Sequence, residues 1–364
     1  MVTDGPGAAE QPGADARAPT RPEDARDDPV EYFLQDLAYH GRSERTRAAY
    51  ERVLRRFEAF LDDPGNGGQP GPAAASHREC MAWVHTLRGD VAPSTVATYA
   101  SYLHRFYAYM TRIEAFEANP MALIMAELDE TIDADPERRD IGVREMGAFL
   151  DGIAHPLHRA VVCTLLKTGM RVGECCNLDL RDLAIADEEL EAAYTLGTRP
   201  RLDGRGDALY VASDVTRGAT VNGEQRHASN KRRRSTVIPV DAELRAVLRR
   251  WLAIRPDALS PAEPLFCSTA DGWGRRITPP QVRSVVTEHA RAADWYRTGG
   301  GPAENVTPHY FRHFFTTHLR DRTGDRGVVK YLRGDVASDV IDTYTHDWGD
   351  RIREVYEANI YSLL

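Results

Sequence analysis

Apolar residues recur at helical spacing in two long stretches of the first third of this 364-residue chain. Tyr50, Val53, Leu54, Phe57 and Leu61 share one helical face, and Ser43 stands ahead of them as an N-cap. Asp62-Asp63-Pro64-Gly65 stops the run, so the spacing predicts a helix opening at Ser43 and ending there. A Gly/Pro-rich loop follows to about Ala75. Pro93-Ser94 then opens a second helix with Val96, Tyr99, Leu103, Phe106 and Met110 on one side. Folded structure is expected from near Val30, and residues 29–125 read as a small all-helical domain. Over residues 126–140 periodicity gives way to acidic residues, the signature of a linker. Helical patterns resume from Ile141 to Leu166, and strand-like runs at Ala208 to Ala212 and Ser235 to Val240 flank a polar, Gly-rich excursion. Helical patterning returns after Asp241 and dominates the remainder. The expected fold class is mainly α with a small antiparallel β-sheet, divided into a helical domain and a mixed α+β domain over 141–364.

Composition changes this picture at its edges. Residues 1–28 carry seven acidic residues against three arginines and few apolar side chains, so a disordered acidic tail is expected there. No apolar stretch approaches a membrane span and no signal-peptide pattern opens the chain, which points to a cytoplasmic protein without a membrane partner. Five scattered cysteines form no CxxC pair, so reduced, buried thiols are expected. The formal charge of −9 argues on its face against nucleic acid. Only three of the 46 basic residues are lysines, Lys167, Lys231 and Lys330. The arginines cluster locally, and steering depends on that local field more than on the net sum.

Candidate chemistry lies in the second domain. In Gly169-Met-Arg171-Val-Gly-Glu174 the arginine and glutamate stand three residues apart at a helix start, where a carboxylate can hold a guanidinium in place. Lys231 follows, eight residues before Pro239, then Pro308-His309-Tyr-Phe-Arg312-His313, then Leu332-Arg-Gly334-Asp335, then Tyr344-Thr-His346. Each motif alone is weak; about one His-x-x-Arg pair is expected by chance in such a composition, and His85/Arg88 in the helical domain is that chance match. The ordered set, with its spacings, resembles the tyrosine recombinases, the phage-integrase class of site-specific DNA strand-transfer enzymes. The resemblance covers nearly all of Ile141 to Leu364, and Val30 to about Leu123 resembles the helical DNA-clamping, core-binding domain that precedes the catalytic domain in that family.

The resemblance implies a two-domain DNA clamp that cuts and rejoins double-stranded DNA through a 3′-phosphotyrosyl intermediate and self-associates on DNA as a tetramer. It implies Tyr344 as nucleophile, Arg171 and Arg312 as the clamp on the nonbridging phosphate oxygens, Lys231 as general acid and His309 as a proton acceptor or phosphate ligand. Glu174 and His313 are expected to support these groups. No metal or other cofactor is implied, because arginines take the part a divalent ion would play. Arg45, Arg47, Ser94, Thr95, Arg232 and Arg233 are the expected DNA contacts. Asp335 departs from the pattern, standing nine residues before Tyr344 where the family places His or Trp; it is expected either to pair with an arginine, Arg312 or Arg333, or to accept a hydrogen bond behind the site. Ile352, Val355, Tyr356 and Ile360 form an amphipathic end that the resemblance docks on a neighbouring protomer. A type IB-like topoisomerase and a DNA-binding relative that no longer cleaves remain the alternatives. His155 and His158 have a spacing that suits a metal, but with no third ligand near in sequence they read as a helix-start pair.

Overall fold

The computed structural model describes residues 27–66, 71–131, 137–335 and 348–364. The chain divides into two compact units, Met1–Asp135 and Pro136–Leu364. Among the described residues no helix is long and apolar enough to cross a membrane.

Among the described residues the first unit has five α-helices: α1 (Pro29–Tyr39), α2 (Glu44–Asp62), α3 (His77–Asp90), α4 (Pro93–Arg112) and α5 (Met121–Glu127). Ser43 caps α2, its hydroxyl accepting the Thr46 N–H at 3.2 Å, and the buried residues of α2 are the five that its spacing marks. The core is aromatic, with Phe33 edge-on to Phe106 at 5.6 Å and Phe57 edge-on to Trp83 at 5.2 Å. Trp83 belongs to α3, a helix the sequence reading passed over although Cys80, Trp83, Val84 and Leu87 fall at helical spacing. Arg88, at its end, pairs with Glu130 at 2.5 Å, so the acidic stretch after α5 is tied to this unit as far as Glu130.

The second unit wraps its elements around α7 (Pro156–Thr168), in which every residue from Ala160 onward is buried. Before it runs α6 (Val143–Asp151); after it come α8 (Val172–Cys176), strand β1 (Leu183–Ala184) and α9 (Glu188–Ala193). The two strand-like runs become β2 (Ala208–Val211) and β5 (Thr236–Pro239), antiparallel with Leu209 opposite Ile238, and β1 joins on the other side of β2. Between β2 and β5 the polar excursion contains a hairpin, β3 (Thr220–Val221) and β4 (Glu224–Gln225). Its turn is Asn222-Gly223, both at positive φ, the pair that a tight hairpin favours. A buried cluster roots this excursion in the core: Asp179 receives Arg226 at 2.7 Å and Arg276 at 2.6 Å, and Arg276 also reaches Glu224 at 2.5 Å.

Helices α10 (Ala242–Leu252), α11 (Pro279–Ala292), α12 (Pro308–Thr323), α13 (Arg326–Arg333) and α14 (Trp348–Asn359) complete the unit. Helix dominates after Asp241 as the pattern suggested, interrupted over residues 253–278 by turns and isolated bridges, Asp179 to Pro264 and Cys267 to Arg276. All five cysteines are buried and unpaired with one another.

The amphipathic end is not left waiting for a neighbour in the single chain. Ile352, Tyr356, Tyr361 and Leu363 are buried in the core of their own unit. The physical reason is Lys167, wholly buried in α7, whose Nζ donates to the Tyr361 carbonyl and Asp241 Oδ2, each at 2.6 Å, and pairs with Glu243 Oε2 at 2.6 Å. Buried ammonium needs all three. The Tyr356 hydroxyl donates to the Lys167 carbonyl at 2.9 Å, and Glu243 accepts the Leu363 N–H at 2.8 Å.

Candidate active site

Arg171 stands in the turn between α7 and α8. Gly169 ends α7 at φ 60°, where a Cβ would collide with the Phe315 ring of α12, so glycine is required on both conformational and steric grounds. The Gly169 carbonyl accepts a hydrogen bond from Arg312 Nη1 at 2.7 Å. One turn thus presents the first arginine and seats the second. Glu174, fully buried, accepts from the Arg171 backbone N–H at 3.0 Å and from Arg171 Nη1 at 3.2 Å, which fixes the guanidinium from behind.

Arg312, on α12, is only 2% exposed. Its Nη2 lies 2.7 Å from both oxygens of Asp335. Arg171 Nη2 reaches Asp335 Oδ1 at 2.9 Å and Arg333 Nη2 reaches Oδ2 at 2.9 Å. Three guanidiniums therefore converge on one carboxylate. The expectation that Asp335 pairs with Arg312 or Arg333 is met by both, and Arg171 joins them. Burial works against the Asp335 charge, but Arg312, Arg333 and Arg171 outweigh it and hold the carboxyl below its ordinary range. Burial, with repulsion from Arg333, pushes Arg312 down to about 10, which still leaves it cationic at neutral pH.

His309 occupies the first turn of α12 with its edge exposed. Partial burial, then the cations Arg138, Arg312, Arg171 and Arg333, lower its imidazole below the ordinary value, so the ring is neutral near pH 7 and able to accept a proton. One turn on, the His313 Nδ1 lies 3.5 Å from Arg138 Nη1. Lys231 has an exposed side chain, and its carbonyl accepts from Arg171 Nη1 at 2.8 Å. Tyr344 lies outside the described residues, as do Thr345 and His346.

Arg232 requires a correction. Expected as a phosphate contact, its side chain is 0% exposed and pairs with Glu174 at 3.1 Å, donates to the Leu332 carbonyl at 2.9 Å and bonds Thr236 Oγ1. The physical reason is the fully buried Glu174, whose carboxylate draws the Arg232 guanidinium inward, while Lys231 and Arg233 on either side stay exposed. Arg233 keeps an exposed side chain, and its N–H donates to the Gly334 carbonyl at 3.0 Å. In the first unit Arg45 and Ser94 are exposed and Arg47 and Thr95 half-buried.

Sequence reading also missed a third histidine. His289, from α11, brings Nε2 to within 3.1 Å of His158 Nδ1, and the His155 ring stacks on His158 at 4.2 Å. The rings form a hydrogen-bonded stack, and among the described residues no group of three or more His, Cys, Asp or Glu is placed to hold a metal.

The phage integrase family model matches residues 146–348, and the model of the phage integrase N-terminal SAM-like domain matches residues 30–114. The chain is similar to the tyrosine recombinase XerC of Mycobacterium sp. (strain JLS), 27% identical over 335 residues that cover 90% of this chain and 97% of that one. It is 28% identical to the protein of the same name from Mycobacterium tuberculosis, over 87% of this chain and 93% of the relative. In fold it resembles the Tn1549 transposon integrase in complex with a circular intermediate DNA, with a TM-score of 0.59 at 17% identity over 90% of this chain and 98% of that one. A lambda integrase dimer bound to a COC′ core site gives 0.57 at 15% identity, over 86% and 95%. Because the family match spans more than half of the chain and takes in the turn of Arg171, the helix of Arg312 and the Asp335 segment, the chain belongs to the phage integrase family and is a site-specific tyrosine recombinase.

Proposed function

We propose that this recombinase cuts and rejoins double-stranded DNA through a 3′-phosphotyrosyl intermediate formed by Tyr344, with Arg171 and Arg312 binding the nonbridging oxygens of the scissile phosphate. The observation that carries the reading is the convergence of Arg171, Arg312 and Arg333 on one anion position. A cleft that gathers three guanidiniums around a carboxylate has the charge and the donor geometry for a phosphodiester and for the more negative phosphorane that follows it. In the reaction the Tyr344 oxygen bonds to phosphorus as the bond to the 5′ oxygen breaks. Lys231 gives that leaving oxygen a proton, and His309, neutral in its cationic surroundings, accepts the tyrosine proton or hydrogen-bonds the phosphate. The new ester conserves the bond energy, so a second DNA 5′ hydroxyl can reverse the step without a further energy source.

Asp335 fits this scheme as a resident anion that gives up part of its arginine donors when phosphate arrives. Glu174 and His313 support Arg171 and the His309 helix from behind. Arg45, Arg47, Ser94, Thr95 and Arg233 are proposed contacts to the DNA backbone. A tetramer on DNA is the proposed working assembly; residues 352–364 serve as its joint only by reciprocal exchange, in which each segment rebuilds around a neighbour's Lys167 the cage it leaves.

Incubation with a nicked DNA whose cut end diffuses away tests the reading. A covalent protein–DNA adduct should form and Tyr344→Phe should abolish it. No adduct on any DNA would make the chain a binding relative, and an adduct with supercoil relaxation but no strand exchange would make it a topoisomerase.

A further inference from the structure

Three consecutive residues ahead of β5 are fastened to the arginine cluster, each by a different group. The Lys231 carbonyl is held by Arg171 Nη1 at 2.8 Å, the Arg232 side chain by Glu174 and the Leu332 carbonyl, and the Arg233 N–H by the Gly334 carbonyl at 3.0 Å. The middle fastening is the strongest, being a buried, charge-assisted pair with a second arm on a backbone acceptor. Both of its partners belong to the site: Glu174 holds Arg171, and Leu332 precedes Arg333 and Asp335. Gly334 completes the joint. It sits at φ 69°, and a Cβ there would run into the Cγ of Arg232, so the arginine stem fills the space that glycine leaves open.

We propose that Arg232 is a positioning residue, a buried strut that sets the backbone of Lys231 against Arg171 and so delivers the Lys231 ammonium to the leaving oxygen. The inference rests on the reading of Lys231 as general acid. A lysine side chain is long and flexible, so what the protein can fix is where its Cα stands. Displacement of such a group by about 1 Å costs on the order of 100-fold in rate. Arginine suits the task because its planar fork reaches Glu174 and the Leu332 carbonyl together; lysine offers a point charge for Glu174 and cannot span both.

A substrate with sulfur in place of the 5′ bridging oxygen separates positioning from simple support of the fold. Thiolate leaves without a proton, so a defect confined to the general acid disappears on it. Lys231→Ala should slow adduct formation on the ordinary nicked DNA by about 100-fold or more and recover on the sulfur substrate. Arg232→Lys keeps a cation against the buried Glu174 and should fold. It should slow the oxygen substrate by about 10-fold or more, recover on the sulfur substrate in step with Lys231→Ala, and bind DNA as the parent does. Arg232→Met should show the same recovery with a larger defect. Normal cleavage of the oxygen substrate by Arg232→Lys would overturn the inference, as would a defect equal on both substrates while Lys231→Ala is rescued. Failure of the sulfur substrate to rescue Lys231→Ala would instead remove Lys231 as the acid, and the inference with it, a result visible in that variant alone.

Discussion

Arg171, Arg312 and Arg333 face two carboxylates, Asp335 and the Glu174 that pairs with Arg171, which leaves the group one positive charge in excess. A carboxylate held by Arg171, Arg312 and Arg333 at 2.7–2.9 Å competes with any phosphate for the same donors. Asp335→Asn removes the competitor while keeping its shape. Nicked DNA should then bind about 10-fold more tightly at fixed salt, the effect of one charge-assisted hydrogen bond, and fluorescence anisotropy would measure it; weaker binding would show that the carboxylate helps to build the site. Asp335→His, which restores the side chain that the resemblance leads one to expect, should keep adduct formation. At this scale the sequence was legible where residue type and chemistry coincide. Arg171 and Arg312 were marked by the ordered motifs of the resemblance, and the structure brings them together on Asp335. Arg232 was misread because a basic run reports charge and not direction, and its partners Glu174 and Leu332 lie 58 and 100 residues away.

Among the elements, α2, α4, β2 and β5 could be read from periodicity because each buries one face of a regular repeat. The β3–β4 hairpin and the long irregular stretch after α10 could not, since ion pairs and turns hold them instead of an apolar stripe. The end of the chain was legible as an amphipathic helix, but whether it covers its own unit or a neighbour was not, and in the single chain it packs on its own unit. Its polar contacts decide the matter: Lys167 is buried in α7 and needs the Tyr361 carbonyl beside Asp241 and Glu243. Deletion of 352–364 therefore removes Tyr356 and Tyr361 from the core, uncovers the face of α7 they pack on, and strips the ammonium of one acceptor. Losing a hydrogen bond to a buried charge costs about 1.5–3 kcal/mol, to which the lost burial of Ile352, Tyr356, Tyr361 and Leu363 adds. Thermal denaturation should show the truncated protein unfolding well below the parent. An unchanged transition would mean that the segment is dispensable to its own unit.

The whole molecule carries a formal charge of −9, yet its acid response should be governed by histidines. Burial lowers His158 to about 4, with His155 and His289 adding repulsion, and burial likewise lowers His289, His309 and His318. In the unfolded chain these rings titrate near 6.5. Below that pH the unfolded state takes up protons that the folded state refuses, so stability falls as pH drops from about 6.5 toward 4. Denaturant midpoints measured at pH 7.5 and 5.0 should differ, with His158 alone contributing on the order of 1 kcal/mol, and His158→Gln should flatten the difference; equal midpoints would refute it. The cage around Lys167 has a consequence for how the protein is made. Tyr361 follows Lys167 by 194 residues, so at 5–20 residues per second translation reaches it roughly 10–40 s later. Through that interval α7 holds a cation whose last ligand does not yet exist, and it cannot settle as the centre of its unit. The first unit has no such dependence, so during synthesis it is expected to fold ahead of the second, which a ribosome-bound chain stopped before Tyr361 would show by protease sensitivity confined to the second unit.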